Sequence, residues 1–190
     1  EPINFTKIAH QCGVSTPTVQ DFFSILVDTL IAFRVEAWFH SIRKQVQQSP
    51  RFYFFDCGVL NAIRGELQTE LKPESYRYGK LFETYIMCEA MRLNHYLNRD
   101  FRLHYWRTNT NLEVDLIIYH AATRLTYAIE IKSSSTPKKQ DFHALKAFKV
   151  ENPSAHLMCL CQTENAYEVD GIEIYPWKEG LMKIFVKKSQ

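Results

Sequence analysis

Apolar side chains recur at helical spacing through the opening of the chain and then switch to alternation, and the switch marks out its elements. Thr6-Lys7-Ile8-Ala9 begins a short helix that Gly13 ends, since glycine tolerates the left-handed backbone that closes a helix. Ser15 or Thr16 caps a second helix, with Pro17 early in it, where a missing N–H does no harm. Val19, Phe22, Phe23, Leu26 and Leu30 form its apolar stripe over residues 16–30. Residues 31–38 are rich in β-branched and aromatic side chains and follow as a strand. The polar stretch 43–50 reads as a linker. A strand at 51–55, a turn at Asp56-Cys57-Gly58, a short helix at 60–63 and a loop at 65–78 come next. From Gly79 a helix runs to about Leu97, with strands at 102–107, 113–119 and 125–132. A helix over 137–150, strands at 155–161 and 171–175, and a helix from Trp177 complete the series.

The order predicts two domains of an α/β (α+β) protein. Helix, glycine turn, helix and strand make a winged helix-turn-helix of residues 1–48. Residues 49–190 make a mixed sheet flanked by helices, with the core order αβββαβ. A hydrophobic share of 46% and an aromatic share of 14% sustain a core over 190 residues, and 6 Gly and 7 Pro exclude a fibrous or disordered chain. Five cysteines are an odd number, and Cys159 and Cys161 stand one residue apart, spacing that suits reduced thiols better than a zinc or disulfide framework. Residues 22–33 are the most apolar stretch, but Asp28 interrupts them and they are too short to span a bilayer. No signal peptide is visible, so a cytoplasmic location without membrane contact is expected. The chain opens at Glu1 without methionine, as a piece of a longer protein would.

Charge changes the picture of the first domain. The net charge of +2, from 23 basic and 21 acidic residues, is too small to announce a nucleic-acid partner. Residues 1–48 balance Lys7, Arg34, Arg43 and Lys44 against Glu1, Asp21, Asp28 and Glu36. The second helix carries Asp21 and Asp28 and no Lys or Arg, which equips it poorly to approach a polyanion and favours a protein-contact or spacer role. A basic footprint is expected later, at Lys138, Lys139, Lys146 and Lys149.

The candidate chemistry lies on two strands. Asp115 interrupts the apolar run Val114-Asp115-Leu116-Ile117-Ile118, and Glu130-Ile131-Lys132 ends the run that starts at Leu125. A buried charge is costly without a partner, a metal or a changed protonation state. Alternation points Glu130 and Lys132 the same way, so neighbouring strands bring Asp115, Glu130 and Lys132 to one point. Mg²⁺, or Mn²⁺ in its place, suits such a site, with one or two carboxylates and the remaining positions left to water and substrate phosphate. The competing reading is an Asp–Lys salt bridge at strand ends. The expected helix from Gly79 offers two further carboxylates, Glu83 at the edge of its stripe (Phe82, Ile86, Ala90, Leu93, Leu97) and Glu89 nearer the middle. A first-turn role at the helix N-terminus competes with ligation for Glu83. Arg107 either holds a phosphate or pairs with Glu113, and Tyr105 and Trp106 read as core.

Asp115 and Glu130 lie fifteen residues apart, with Lys132 two further on, which is the sequence form of the PD-(D/E)XK nuclease core. Together with Gly79-Lys80-Leu81-Phe82-Glu83, Tyr105-Trp106-Arg107, Glu113-Val114-Asp115 and Ile129-Glu130-Ile131-Lys132-Ser133-Ser134, the chain resembles a prokaryotic family of uncharacterised ATPases. In that family an AAA+ nucleotide-binding module precedes a winged helix and a C-terminal domain of unknown function similar to PD-(D/E)XK nucleases. Residues 52–58 and Ile174-Tyr175-Pro176-Trp177 also resemble it. The carboxylates and lysine themselves carry the expectation of a Mg²⁺-dependent deoxyribonuclease; the resemblance implies a restriction-endonuclease-like fold but no demonstrated reaction. It places Asp115, Glu130 and Lys132 in catalysis, Asp115 and Glu130 on the metal, and favours Glu83 beside them. It implies DNA and the AAA+ module as partners, with an oligomer compatible, while the alternative is a non-catalytic DNA- or protein-binding module regulating the ATPase. The chain departs from the family in lacking a Gly-x4-Gly-Lys-Ser/Thr loop, so ATP would be bound only by a module outside this sequence.

Overall fold

The computed structural model describes residues 2–39 and 49–186. It is a mixed α/β protein whose chain divides into two compact units, Glu1–Gln68 and Thr69–Gln190.

The first unit opens with α1 (Phe5–Cys12), capped by the Asn4 side chain, which accepts from the Lys7 N–H at 2.9 Å, and closed by Gly13 at φ 65. Ser15 caps α2 (Thr16–Asp28) by accepting from the Thr18 N–H. β1 (Ala32–Ala37) and β2 (Arg51–Phe54) pair antiparallel, with Phe33 opposite Tyr53 and their rings stacked at 5.6 Å. α3 (Cys57–Ile63) is capped by Asp56, which accepts from the Gly58 and Val59 N–H groups. Phe23 of α2 joins Phe5 of α1 and Phe52 of β2 in one aromatic cluster, with centroids 5.4 and 4.7 Å away. The expected α2 stripe is only half inside: Val19 is buried, whereas Phe22 is 62% and Leu30 80% exposed.

The pairing of β2 with β1 moves the domain division. The boundary falls after Gln68, not after residue 48, because strand 51–54 completes a hairpin with the first unit and α3 stays with it. Most of the expected linker, residues 43–48, lies outside the described residues.

The second unit begins with α4 (Tyr76–Tyr96), whose Ser75 cap accepts from the Tyr78 N–H. β3 (Phe101–Arg107), β4 (Glu113–His120) and β5 (Leu125–Ile131) form an antiparallel meander. A single 3₁₀ turn (Lys139–Phe142) leads into α5 (His143–Glu151), which crosses over to β6 (His156–Cys161), parallel to β5. The short β7 (Tyr167–Val169), absent from the sequence reading, turns antiparallel into β8 (Ile172–Pro176), and α6 (Trp177–Phe185) follows. The strand order is β3-β4-β5-β6-β8-β7. β4, β5 and β6 are central and near-continuously apolar, as strands covered on both faces must be. Ile117, Ile129 and Met158 are fully buried, and Trp106 meets Phe148 of α5 edge-on at 5.5 Å. Tyr105 and Trp106 are therefore core, as expected. Among the described residues no helix is long and apolar enough to cross a membrane.

Candidate functional site

β4 and β5 pair from His120 opposite Leu125 to Leu116 opposite Ile129, and the ladder stops there. Asp115 and Glu130 lie just past the last pair, where the strands part. The Ile131 N–H, released from the ladder, donates to Oδ2 of Asp115 at 2.9 Å. On its other side β5 continues against β6, with the Lys132 N–H donating to the Leu160 carbonyl oxygen at 3.0 Å. The fork thus turns a backbone donor onto one carboxylate and leaves the other facing inward.

Glu130 is 6% exposed. Its Oε1 holds the Lys132 ammonium at 2.9 Å, while Oε2 is buried with no hydrogen-bond partner among the described residues. Burial, and after it the neighbouring Asp115 charge, push the Glu130 carboxyl up to about 9 against the opposing pull of Lys132. Burial works against the Lys132 ammonium, but Glu130, Asp115 and Asp141 outweigh it and hold its pKa above that of an ordinary lysine. Asp141, on the 3₁₀ turn before α5, stands 3.7 Å from Lys132. Lys132 therefore bridges Glu130 and Asp141.

α4 brings its first turns to the same place. A Cβ at Gly79 would lie 3.5 Å from the Ser133 hydroxyl, so the helix passes close to the end of β5. Gln162, just beyond β6, donates through Nε2 to the Tyr78 hydroxyl and to the Ser133 carbonyl oxygen, both at 2.7 Å. Its own N–H donates to the Ser134 carbonyl oxygen. Tyr78, Ser133 and Gln162 tie helix, β5 end and β6 end together; sequence reasoning assigned none of them a role, although Ser133 stands in the run that follows Lys132. The signal available was position: Gln162 follows a strand that runs parallel to the one ending in Lys132.

The helical carboxylates separate by place. Lys80 donates to Glu83 at 2.9 Å, and its pKa is raised because that bond, the Glu83 charge and the Asp115 charge overcome burial. Glu83 thus joins the site through Lys80. Glu89, six residues on and about 9 Å further along the axis, forms an ion pair with Arg92. Among the described residues no three His, Cys, Asp or Glu side chains form a group that could hold a metal ion. The structure brings Asp115, Glu130 and Lys132 together and does not gather Glu83 into a third ligand position. Two carboxylates with one orphaned, buried oxygen still fit Mg²⁺ or Mn²⁺, which keep several waters and take few protein ligands.

Neighbouring charges are engaged elsewhere. Arg107 pairs with Glu113 at 3.8 Å and donates to Asn111 at 2.7 Å. Lys139 and Lys146 converge on Asp170, and Lys149 donates to the Ala155 carbonyl oxygen. Much of the expected basic footprint is thereby neutralised or tied to the fold. All five cysteines are free thiols, with Cys159 fully buried in register with Glu130.

Comparison with known proteins places the chain. A family model described as a domain of unknown function (DUF8612) matches residues 1–70. The uncharacterized proteins Rv2008c of Mycobacterium tuberculosis and Mb2031c of Mycobacterium bovis are each 29% identical to the chain over 134 residues. That stretch is 69% of this chain but 28% of each relative, so the chain spans little more than a quarter of their length. No solved structure matches the chain. A second model, described as a domain of unknown function (DUF4143), matches residues 78–179, more than half of the chain, and the protein belongs to that family.

Proposed function

We propose that residues 69–190 are a restriction-endonuclease-like domain of the PD-(D/E)XK type that cleaves nucleic acid with Mg²⁺ or Mn²⁺. In this reading the first unit is a winged helix, and the two form the C-terminal portion of a longer cytoplasmic AAA+ ATPase. The observation that carries the reading is the buried Glu130 Oε2, without a hydrogen-bond partner among the described residues, beside Asp115 at the fork of two strands. Leaving a buried carboxylate oxygen unsatisfied costs on the order of 1–3 kcal/mol, and a cation there removes the cost.

Asp115 and Glu130 would hold the ion, and the Ile131 N–H fixes the Asp115 carboxylate through its Oδ2. When bound, the ion would supply Lewis-acid activation of water and neutralise charge growing on a transferred phosphoryl group. Lys132, freed in part from Glu130, would donate to the attacking water or to the phosphate oxygens. Lys80 adds a second cation on the α4 side, held by Glu83. The test is a cleavage assay with Mn²⁺ on single-stranded, duplex and branched DNA. Asp115→Ala and Lys132→Ala should each lower the rate at least about tenfold. Cleavage unchanged in both variants would overturn the assignment.

A different observation favours a second reading for the first unit. α2 exposes Phe22 and Ile25 and carries Asp21 and Asp28 with no basic residue, so it suits a protein surface better than DNA. The unit would then be the docking half of a regulatory module. A DNA-binding titration whose affinity is unaltered by deleting residues 1–68 is the result expected of it.

A further inference from the structure

The β4–β5 hairpin carries polar groups at both ends. Asp115 lies near the start of β4 and His120 closes it, so about 17 Å of extended chain separates the fork from the hairpin turn. Around that turn, within the second unit, is a cavity of about 720 Å³. Its volume falls in the range of small-molecule sites.

The walls are ringed. Phe101 meets His120 edge-on at 5.4 Å, and Tyr127 lies tilted against His156 at 5.3 Å. The charged lining is three cations, Arg99, Arg124 and Lys183, to one carboxylate, Glu173. Lys183 pairs with Glu173 at 2.7 Å and donates to the Tyr175 hydroxyl, which cancels that carboxylate and fixes the ammonium in the wall. Arg99 donates its Nε–H to the Phe185 carbonyl oxygen, anchoring one edge of a guanidinium that has five donors. Arg124 stands on the turn at φ 56, and among the described residues no ion pair engages it. A planar guanidinium fork selects phosphate or carboxylate oxygens, and aromatic walls select a flat ring.

We propose that this cavity binds a nucleoside monophosphate, its phosphate at Arg124 and its base against Tyr127 and His156. The assignment needs neither the metal nor the nuclease reading, since the cavity and the Asp115–Glu130 fork share no residue. Ligand class follows from the lining: the Arg124 fork answers one phosphate, and one ring occupies the aromatic wall.

Calorimetric titration of the full chain with adenosine 5′-monophosphate, adenosine and inorganic phosphate tests it. The monophosphate should bind at least about tenfold tighter than either fragment. Arg124→Glu should weaken it at least about tenfold, and the His156 ring resonances should shift on binding. Arg124→Asn, which accepts the left-handed backbone at that position, gives the same reading if the charge reversal disturbs folding. The proposal is overturned by a monophosphate no tighter than phosphate alone. Unchanged affinity in both Arg124 variants, or no saturable binding below about 1 mM, overturns it equally.

Discussion

A carboxyl buried beside another carboxyl holds its proton more tightly than one in water, and Glu130 shows the consequence. It would titrate near ~4.3 in an unfolded chain and titrates near about 9 in the folded one. The folded state binds more protons between those values, so the stability Glu130 contributes is complete below about pH 4.3 and lost as pH rises through about 9. Lys132 at 2.9 Å offsets part of that loss. Glu130→Gln should therefore flatten the fall in stability between pH 5 and pH 9, by on the order of one to a few kcal/mol, as read from urea midpoints of both proteins. A divalent ion reverses the same equilibrium by favouring the charged carboxylate. Mn²⁺ binding should release protons, tighten as pH rises, and weaken about 10- to 100-fold in Asp115→Ala. Calorimetry in buffers of different ionisation enthalpy measures the release, and binding without proton release would place the ion elsewhere.

Each element owes its limits to a few side chains, and two of these contacts carry measurable weight. Ser75 satisfies the Tyr78 N–H at the start of α4, the helix that delivers Tyr78, Lys80 and Glu83 to the fork. Ser75→Ala should cost about 1 kcal/mol in urea unfolding. At Gly180 of α6 an added Cβ would sit 2.2 Å from Leu160 Cδ2 and 3.0 Å from Tyr175 Cβ. Gly180→Ala should cost about 1–3 kcal/mol in the same measurement, because helix or strand must shift to admit it. Element identity was legible in the sequence wherever periodicity was strong: the meander and Trp177 as the start of α6 stand within a residue of their expected places, whereas the crossover helix starts at His143, six residues after the expected 137, behind the 3₁₀ turn. The α2 stripe was less legible. Periodicity marks which residues share a face, but the partners Phe5 and Phe52 decide how wide that face is, and they meet Phe23 while leaving Phe22 outside.

Division of the chain into two compact units predicts separable stability. Phe23→Ala, which removes the half-buried centre of the Phe5–Phe23–Phe52 cluster, should cost about 1–3 kcal/mol in the first unit. Hydrogen exchange should then speed up across β1 and β2 while the amides of β4, β5 and β6 keep their protection. Equal loss in both would show one cooperative block. The charge distribution belongs to this level too. Lys139, Lys146 and Lys149 looked like a footprint for a polyanion along the chain, yet folding turns them onto Asp170 and the Ala155 carbonyl. A count of lysines could not foresee that, because Asp170 lies twenty-four residues beyond Lys146.

Local chemistry along the chain settled most of the helices and strands, β7 excepted, and placed Asp115, Glu130 and Lys132 toward strand ends, because side-chain periodicity and alternation are set by neighbours in sequence. Folding in three dimensions decided the rest. It parted β4 from β5 so that Ile131 could donate to Asp115, and brought Asp141 of the 3₁₀ turn to Lys132 as a second partner. It also brought Gln162 to Tyr78 and carried β2 back to β1. Those outcomes depend on contacts between residues far apart in the chain, whose geometry no local pattern encodes.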